Sequence, residues 1–582
     1  MSGKSMLSIA LIFLGSIGFS SPKSDSCRTK AERGDESWTD ACALRDSYDF
    51  IIIGGGTAGS ILANRLSEVP QWSVLLLEAG KDETYESKIP FFPLLLEKTS
   101  MDWNYTTTRQ KICKSVGGYC KYPRGRALGG SSSINYMLHM RGLQEDFNRW
   151  EREGNPGWSY NHVASYFKKS ENFIPQSGKV KSVGRGGPLP VNENEPTWMT
   201  AYLSKALQEM GLQEEDLNLG KKGGFMPVQV NVLNGQRVSA STAFLKPILN
   251  RPNLDILTSA LVTRIVFEKN TAVGVEFEVE EQSHFVSAHR EVILSAGSIN
   301  SPQILMLSGV GPSQHLQEFG IPVIRDLPVG LQLQDHVGYF AYFQMKNVAS
   351  STTEETLMSL KQYLTNKTGW LSTPLGGLVV VLRNSSFSTI DHPDMQFHLG
   401  RGEDQNMFYM NGFVCHPESR GRLSLRSNSP RDPPLIDPNY LNSTKDMAIM
   451  REIVEFIFQL ALSTSLRDLG TAYLSEMQPG CNHDFVNCVI RQYSQTFFHP
   501  VATCKMAPQT DPYAVVDSNL QVYGVRRLRV VDASVIPNVP TSNINSPTMM
   551  VAEKASDMIK QEHLSTETSA LTIQYHLDEV FT

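Results

Sequence analysis

Tyr48-Asp-Phe-Ile-Ile-Ile-Gly-Gly-Gly-Thr-Ala-Gly59, completed by Val74-Leu-Leu-Leu-Glu-Ala-Gly80, is the stretch on which the reading of the chain turns. Tyr48 to Ile53 is a short run of branched apolar residues, the pattern of a buried strand. Gly54, Gly56 and Gly59 follow at the spacing G-x-G-x-x-G, and Ala58 to Ser67 favours a helix that Pro70 stops. Strand, tight turn, helix and second strand result. The glycines allow a sharp turn, close approach of backbone to a pyrophosphate and close packing of helix on strand, with the diphosphate on the helix N-terminus. Glu78 ends the second strand nineteen residues after Gly59, where a carboxylate accepts both hydroxyls of an adenosine ribose and repels a 2′-phosphate. A dinucleotide is indicated; NAD and FAD are not separated by this motif.

With 582 residues, two intergrown domains or two in series are expected. Hydrophobic residues make up 41% and charged residues 19%, as in globular proteins. The net charge of −6, without a long basic run, points away from a nucleic-acid partner. Lys4, the apolar run Met6 to Phe19 and the small residues Gly18 and Ser20 read as a cleavable signal peptide over residues 1–20. That run is shorter than the roughly 20 residues a membrane-spanning helix takes, and no later window is apolar enough to span. Sequons at Asn104, Asn366, Asn384 and Asn442 fit a secreted glycoprotein. So do the closely spaced pairs Cys113/Cys120 and Cys481/Cys488, read as local disulfides, with Cys27 and Cys42 tying down an N-terminal arm and Cys415 and Cys504 left free. Metal binding is not supported, since no C-x-x-C-type pair or nearby histidine cluster accompanies them.

Ile89-Pro-Phe-Phe-Pro-Leu-Leu-Leu reads as a lid or surface helix. Gly129-Gly-Ser-Ser-Ser, ahead of an expected helix from Ile134, is a second small-residue loop able to present N–H groups to another part of the same cofactor. Leu254 to Thr258, Val262 to Phe267, Val273 to Val279 and Arg290 to Leu294 suit short strands returning to the nucleotide sheet. A further helix is expected with Ser301 as cap and Pro302 in its first turn. Over 340–495 the pattern changes to longer alternations (Phe340 to Met345, Met395 to Leu399, Arg422 to Leu425) with a strong helix at Thr444 to Leu462, an antiparallel sheet with flanking helices.

Six segments in fixed order now resemble the glucose–methanol–choline (GMC) oxidoreductase family of FAD enzymes, over nearly all of residues 46–562. They are Gly54 to Gly59 with Leu77-Glu-Ala-Gly80, Gly125 to Gly142, Gly297 to Gly311, Leu327-Pro-Val-Gly with Leu333-Gln-Asp-His336, His499 to Met506, and Asp532-Ala-Ser with Asn543 to Lys554. Within the family the chain is most similar to secreted insect glucose dehydrogenases and leaf-beetle salicyl alcohol oxidases. The resemblance implies an α/β fold: a Rossmann-like FAD domain with a parallel sheet, intergrown with an α+β substrate domain built on an antiparallel sheet. Residues 21–46 are then an arm, 47–335 mainly the FAD domain with lid elements from 143–230, 336–495 the substrate cap, 496–562 a return to the FAD domain and 563–582 a polar tail. It also implies that Gly54, Gly56, Thr57, Ala58, Gly59 and Glu78 hold the ADP half, with Val262 at the adenine. Ser131, Asn135, Tyr136, Met137 and Leu138 line the flavin and its phosphates, Asp532 and Ala533 reach the ribityl–pyrophosphate region, and Asn545 lies at the flavin ring. Ile134 stands where relatives with covalent flavin have histidine, so FAD is expected to be non-covalent.

Alcohol oxidation removes a proton from oxygen and a hydride from carbon; FAD accepts the hydride at N5, so the protein must supply a base and a polar group that positions the oxygen. His499, after the aromatic pair Phe497-Phe498, is the base, since imidazole titrates near neutrality. Asn543 matches the family's second active-site position and donates an N–H to the developing alkoxide, worth about 2–4 kcal/mol when well placed. Oxygen or a quinone-like acceptor would reoxidise the flavin. His139, His336 and His398 are read as structural, and Met549-Met550 as core. Ala502 and Ala507 replace glycines common in relatives, and Gln332 an asparagine; the alanines motivate a non-catalytic flavin-binding paralogue as one alternative, and a hydroxynitrile lyase of the same fold stands as another.

Overall fold

The computed structural model describes residues 38–39, 41–175, 183–193, 197–219, 223–374, 379–388, 393–402, 404–477, 479–481 and 483–581. The expected leader and the Cys27 end of the arm lie outside the described residues.

Strand β1 (Ser47–Ile53) is the centre of a seven-stranded sheet. Phe50, Ile51 and Ile52 have no exposed surface, which is why the run is continuously apolar: a parallel strand is covered on both faces. Helix α1 (Thr57–Leu66) leads to β2 (Val74–Leu77), and β3 (Leu254–Leu257) lies beyond it. On the other side β4 (Leu261–Glu268) and β5 (Thr271–Val279) fold back antiparallel on β6 (Gln282–Leu294), which runs parallel to β1 and to Leu528–Val530. Register places Leu257, Leu77, Ile53, Leu294 and Val530 level at the C-terminal ends of the five parallel strands. That edge is where open α/β sheets take ligands. Gly59 cannot carry a side chain, because a Cβ there would lie 1.9 Å from the Gly54 carbonyl oxygen. The helix therefore seats directly on the strand.

Two local expectations are corrected. The helix expected from Ile134 is absent: Gly130–Ser133 make a single 3₁₀ turn, and Leu138 bridges to Val230 in extended chain. The Asn135 side chain accepts the Met137 N–H at 2.9 Å, and Met137 adopts φ +58°, so a local side-chain bond outcompetes helix. Helix α2 runs Gly297–Leu307, four residues ahead of Ser301, with Pro302 inside it rather than at its start. Lacking an N–H, Pro302 leaves the Ser298 carbonyl without its helical partner. Thr503 Oγ1 donates to that carbonyl at 2.8 Å, while Ser298 Oγ donates to Pro500 O at 2.6 Å. The misplaced proline thus anchors the loop around His499.

The second large sheet is antiparallel: β7 (Val337–Met345) pairs with β9 (Met407–Val414), β9 with β8 (Met395–Arg401), and β8 with Val379–Arg383. It draws Gly224–Pro227 from well outside 340–495 and Ser494–Thr496 at its other side. Arg422–Ser424 is not in it; it forms a separate ribbon with Leu435–Asp437. Helix α3 (Thr444–Ala461) buries Ile449, Ile453, Ile457 and Leu460 at the three- and four-residue spacing of one helix face. Cys113–Cys120 and Cys481–Cys488 are bridged as expected, and Cys415 and Cys504 are free and buried. Helix α4 (Asn545–Phe581) continues through the span expected as a tail. Met549 and Met550 are core. Among the described residues no helix is long and apolar enough to cross a membrane.

Candidate active site

A cavity of about 960 Å³ opens between the C-terminal edge of the parallel strands and the inner face of the antiparallel sheet. All the residues singled out for cofactor or catalysis line it except Gly59, which is buried in α1. Gly54, Gly56, Thr57 and Ala58 form its floor at the start of α1, whose first N–H groups have no partner inside the helix. A Cβ at Gly56 would meet only Gly130 Cα, at 3.8 Å, so this turn presents bare backbone to the cavity.

Glu78 is 6% exposed, and its two carboxylate oxygens accept the Gly55 and Gly80 N–H groups at 2.8 Å. Burial pushes its pKa up to about 7. Each oxygen keeps a lone pair for a further donor. Val262, Ser131, Asn135, Tyr136, Met137 and Leu138 line the same cavity. Asp532 and Ala533 line the cavity, and the Asp532 carboxylate is held inside the fold, accepting Ser301 Oγ at 2.6 Å and the Gly297 and Ser534 N–H groups at 2.8 Å. Asn545 Oδ1 accepts Thr57 Oγ1 at 2.9 Å, joining the N-termini of α1 and α4.

His499 is 8% exposed at the cavity wall. Its N–H donates to Asp335 Oδ1 at 2.8 Å, and the other Asp335 oxygen accepts Tyr122, Thr496 and Tyr440 hydroxyls. Phe498 and Ala502 bracket the loop, both at φ +64°, a left-handed conformation that costs a non-glycine residue about 1 kcal/mol or more. Ala502, Ala507 and Gln332 do not line the cavity. The substituted alanines therefore alter the backing of the loop, not the walls of the site.

The histidines read as structural are partly corrected. His139 is structural, bonded to Glu171 at 3.0 Å and away from the cavity. His336 instead lies 2.9 Å, Nδ1 to Nδ1, from His499, and its Nε2 lies 2.9 Å from the Cys415 carbonyl. A carbonyl can only accept, so His336 carries its proton on Nε2 and its Nδ1 must accept from His499 Nδ1–H. Burial lowers the His336 pKa to about 3, keeping it neutral. His499 is consequently left with a bare Nε2, 3.1 Å from Asn543 Nδ2 in the cavity. Asn543 Oδ1 faces Gln396 Nε2 at 3.4 Å, and the same Gln396 nitrogen lies 2.7 Å from His398 Nε2. Every donor in this chain meets an acceptor in one direction only. It fixes the tautomer of His499 and the amide orientation of Asn543. Burial, then the nearness of His336, His398 and Arg124, holds the His499 pKa well below its ordinary value. The site is a neutral imidazole acceptor facing an amide donor at the meeting of two sheets.

Gln396 carries no chemical signature in sequence, and its role was not legible there; His336 sat in a quoted motif, but nothing in its spacing showed it would touch His499.

Two GMC oxidoreductase family models match the chain, over residues 48–338 and 417–552. Glucose dehydrogenase [FAD, quinone] of Drosophila melanogaster is 37% identical over 546 residues, spanning 88% of this chain and 87% of that protein. Mitochondrial choline dehydrogenase of Mus musculus is 39% identical over 546 residues, spanning 89% and 90%. Among solved structures, formate oxidase of Aspergillus oryzae superposes with a TM-score of 0.81 at 28% identity, covering 90% of this chain and all of that one.

Proposed function

The chain belongs to the GMC oxidoreductase family, and from that premise we propose that it oxidises an alcohol to a carbonyl, with His499 as base, Asn543 as oxyanion donor and FAD as non-covalent cofactor. The observation that carries the reading is the unprotonated Nε2 of His499 held 3.1 Å from Asn543 Nδ2. A hydroxyl placed between them gives its proton to His499 Nε2, and its oxygen, as charge develops, accepts the Asn543 N–H. FAD, bound along the glycine turn, supplies the hydride acceptor. Glu78 has lone pairs for the adenosine ribose, and the N–H groups opening α1 suit the diphosphate. Ile134, 9% exposed on the cavity wall, offers no atom for a flavin bond.

Anaerobic mixing of the FAD-loaded protein with primary alcohols, aromatic alcohols and sugars tests the assignment: bleaching of the flavin is expected from at least one class. A yellow protein that none of them bleaches would favour the lyase or non-catalytic reading. Peroxide release in air against reduction of a quinone-like dye then tells oxygen from quinone as the acceptor.

The depressed His499 pKa predicts a pH profile. The base form persists to lower pH than a free imidazole, so the rate constant for flavin reduction should stay flat from about pH 8 down through pH 6, with no limb near the ordinary value of about 6.5. A rate that halves near pH 6.5 would contradict the neutral, buried base.

We also place the mature protein outside the cell. The two disulfides and the exposure of Asn104, Asn366, Asn384 and Asn442 support this. Protein from a eukaryotic host's medium should lose mass when treated with an N-glycosidase; an intracellular product of unaltered mass would put it with the mitochondrial relatives instead.

A further inference from the structure

Arg237 pairs with Val232 on a short antiparallel ribbon, and its side chain reaches the back of the loop that carries Ser131 and Asn135. It is 3% exposed, and its bonds go to neutral oxygens only. Nε donates to Ser87 O at 2.6 Å and Nη1 to Ser132 O at 3.2 Å and Asn135 Oδ1 at 2.9 Å, while Nη2 has no partner. Glu83, whose charge reaches it, is already engaged by the Ser133 and Thr242 hydroxyls at 2.8 and 3.0 Å and by Lys246 Nζ at 3.2 Å. Burial pushes the Arg237 pKa down to about 9, so it stays charged at neutrality. Buried charges are ordinarily paired, because an uncompensated one is costly. A single residue separates this guanidinium from the cavity: Asn135, which it bonds, lines the cavity wall. Asn135 Oδ1 also accepts the Met137 N–H, so its oxygen is taken by two donors and its Nδ2 is the group left for the cavity. The same loop packs on the glycine turn that opens α1, since a Cβ at Gly130 would lie 2.7 Å from Gly56 Cα. Arg237 thus stands behind the loop that meets that turn.

We infer that Arg237 anchors the cofactor from behind the cavity wall: the FAD diphosphate supplies the counter-charge the fold lacks, and the bond to Asn135 turns that residue's amide N–H donors toward the cofactor. The reasoning is one of charge balance. A diphosphate diester is a dianion at neutral pH, whereas a helix N-terminus supplies only about half a positive charge. A full cation held in the protein adds to it, and because protein rather than water lies between, the attraction acts without direct contact. The orientation of Asn135 follows from the same bond, since a cationic donor fixes which end of the amide faces inward. Arg237 is therefore a positioning residue that touches the cofactor only through Asn135 and its own field. The inference rests on FAD as the cofactor and not on the His499–Asn543 chemistry.

The test uses the full chain, FAD-loaded and after the flavin has been stripped, with FAD dissociation constants read from flavin fluorescence and melting temperatures from both forms. Arg237→Met should weaken FAD binding by about a hundredfold or more. Arg237→Lys keeps the charge without the planar fork and should recover affinity to within about tenfold of the parent. Asn135→Asp supplies within the fold the carboxylate that Arg237 lacks and still accepts the Met137 N–H. Its stripped form should melt above the stripped parent, while its FAD binding weakens by tenfold or more. A residue that merely tied the loop together would give the opposite pattern, with Arg237→Lys as weak as Arg237→Met and no gain from Asn135→Asp. The inference is overturned by that pattern, or by Arg237→Met binding FAD within threefold of the parent. Should Arg237→Met fail to fold, Asn135→Asp decides alone: a stripped form that melts no higher than the parent's overturns the inference. A parent chain that binds no FAD would sink the cofactor reading itself, so the two failures are distinct.

Discussion

His499→Ala should retain its yellow flavin and lose flavin reduction by more than a hundredfold. The imidazole is the group in the cavity wall that the hydrogen-bond chain leaves with an accepting nitrogen beside a donor amide, and a positioned general base contributes roughly 10²–10⁴ in rate. The residues proposed to hold FAD, at α1, Glu78 and the 131–138 loop, do not bond to the imidazole, so flavin content should not follow rate. The His499 backbone is held separately, by Asp335 through the main-chain N–H, and that bond survives the substitution. Stopped-flow reduction under nitrogen, with the flavin-to-protein ratio measured on the same sample, decides the matter. Reduction within tenfold of the parent would remove His499 from the role of base, and loss of flavin alongside rate would show a structural function instead.

Glu78→Ala should do the reverse, weakening FAD binding by about a hundredfold or more and acting on rate only through occupancy. Two effects add. The substitution takes away the buried acceptor proposed for two ribose hydroxyls, and hydrogen bonds to a charged group contribute about 1.5–3 kcal/mol each. It also strips the Gly55 and Gly80 N–H groups of their partner, loosening the turn on which the diphosphate would sit. FAD titration followed by flavin fluorescence, together with the flavin ratio after gel filtration, measures this. Cofactor retention equal to the parent's would contradict the ribose assignment.

These two residues also show how unevenly the site was legible. Glu78 could be read from sequence because its meaning is local: a strand of known period, a glycine turn and a fixed spacing put it at a strand end, and the structure has it there. His499 was found only through a resemblance, since one histidine after two phenylalanines has no local signature. His336, 163 positions earlier in the chain, could not be paired with it by any periodicity. Gln396 and His398 lie on a strand whose partners in space come from distant segments. The helix expected at Ile134 failed for a related reason: composition favoured helix, and the Asn135 side chain closed a turn instead. Pro302 shows the opposite case, a residue assigned to a helix start by general preference and tolerated inside because Thr503 takes up the carbonyl it frees.

By itself, the sequence determined the nucleotide unit. Continuous apolar strands, a glycine turn that admits no Cβ at Gly59 and an acidic strand end leave little choice of local structure, because each rests on contacts within about thirty residues. It likewise determined that an antiparallel sheet with a long amphipathic helix follows. The tertiary structure alone decided which imidazole nitrogen is free and which way the Asn543 amide points. Protonation and orientation are set by neighbours at hydrogen-bond distance, and here those neighbours are brought together by two sheets whose strands are far apart in the chain.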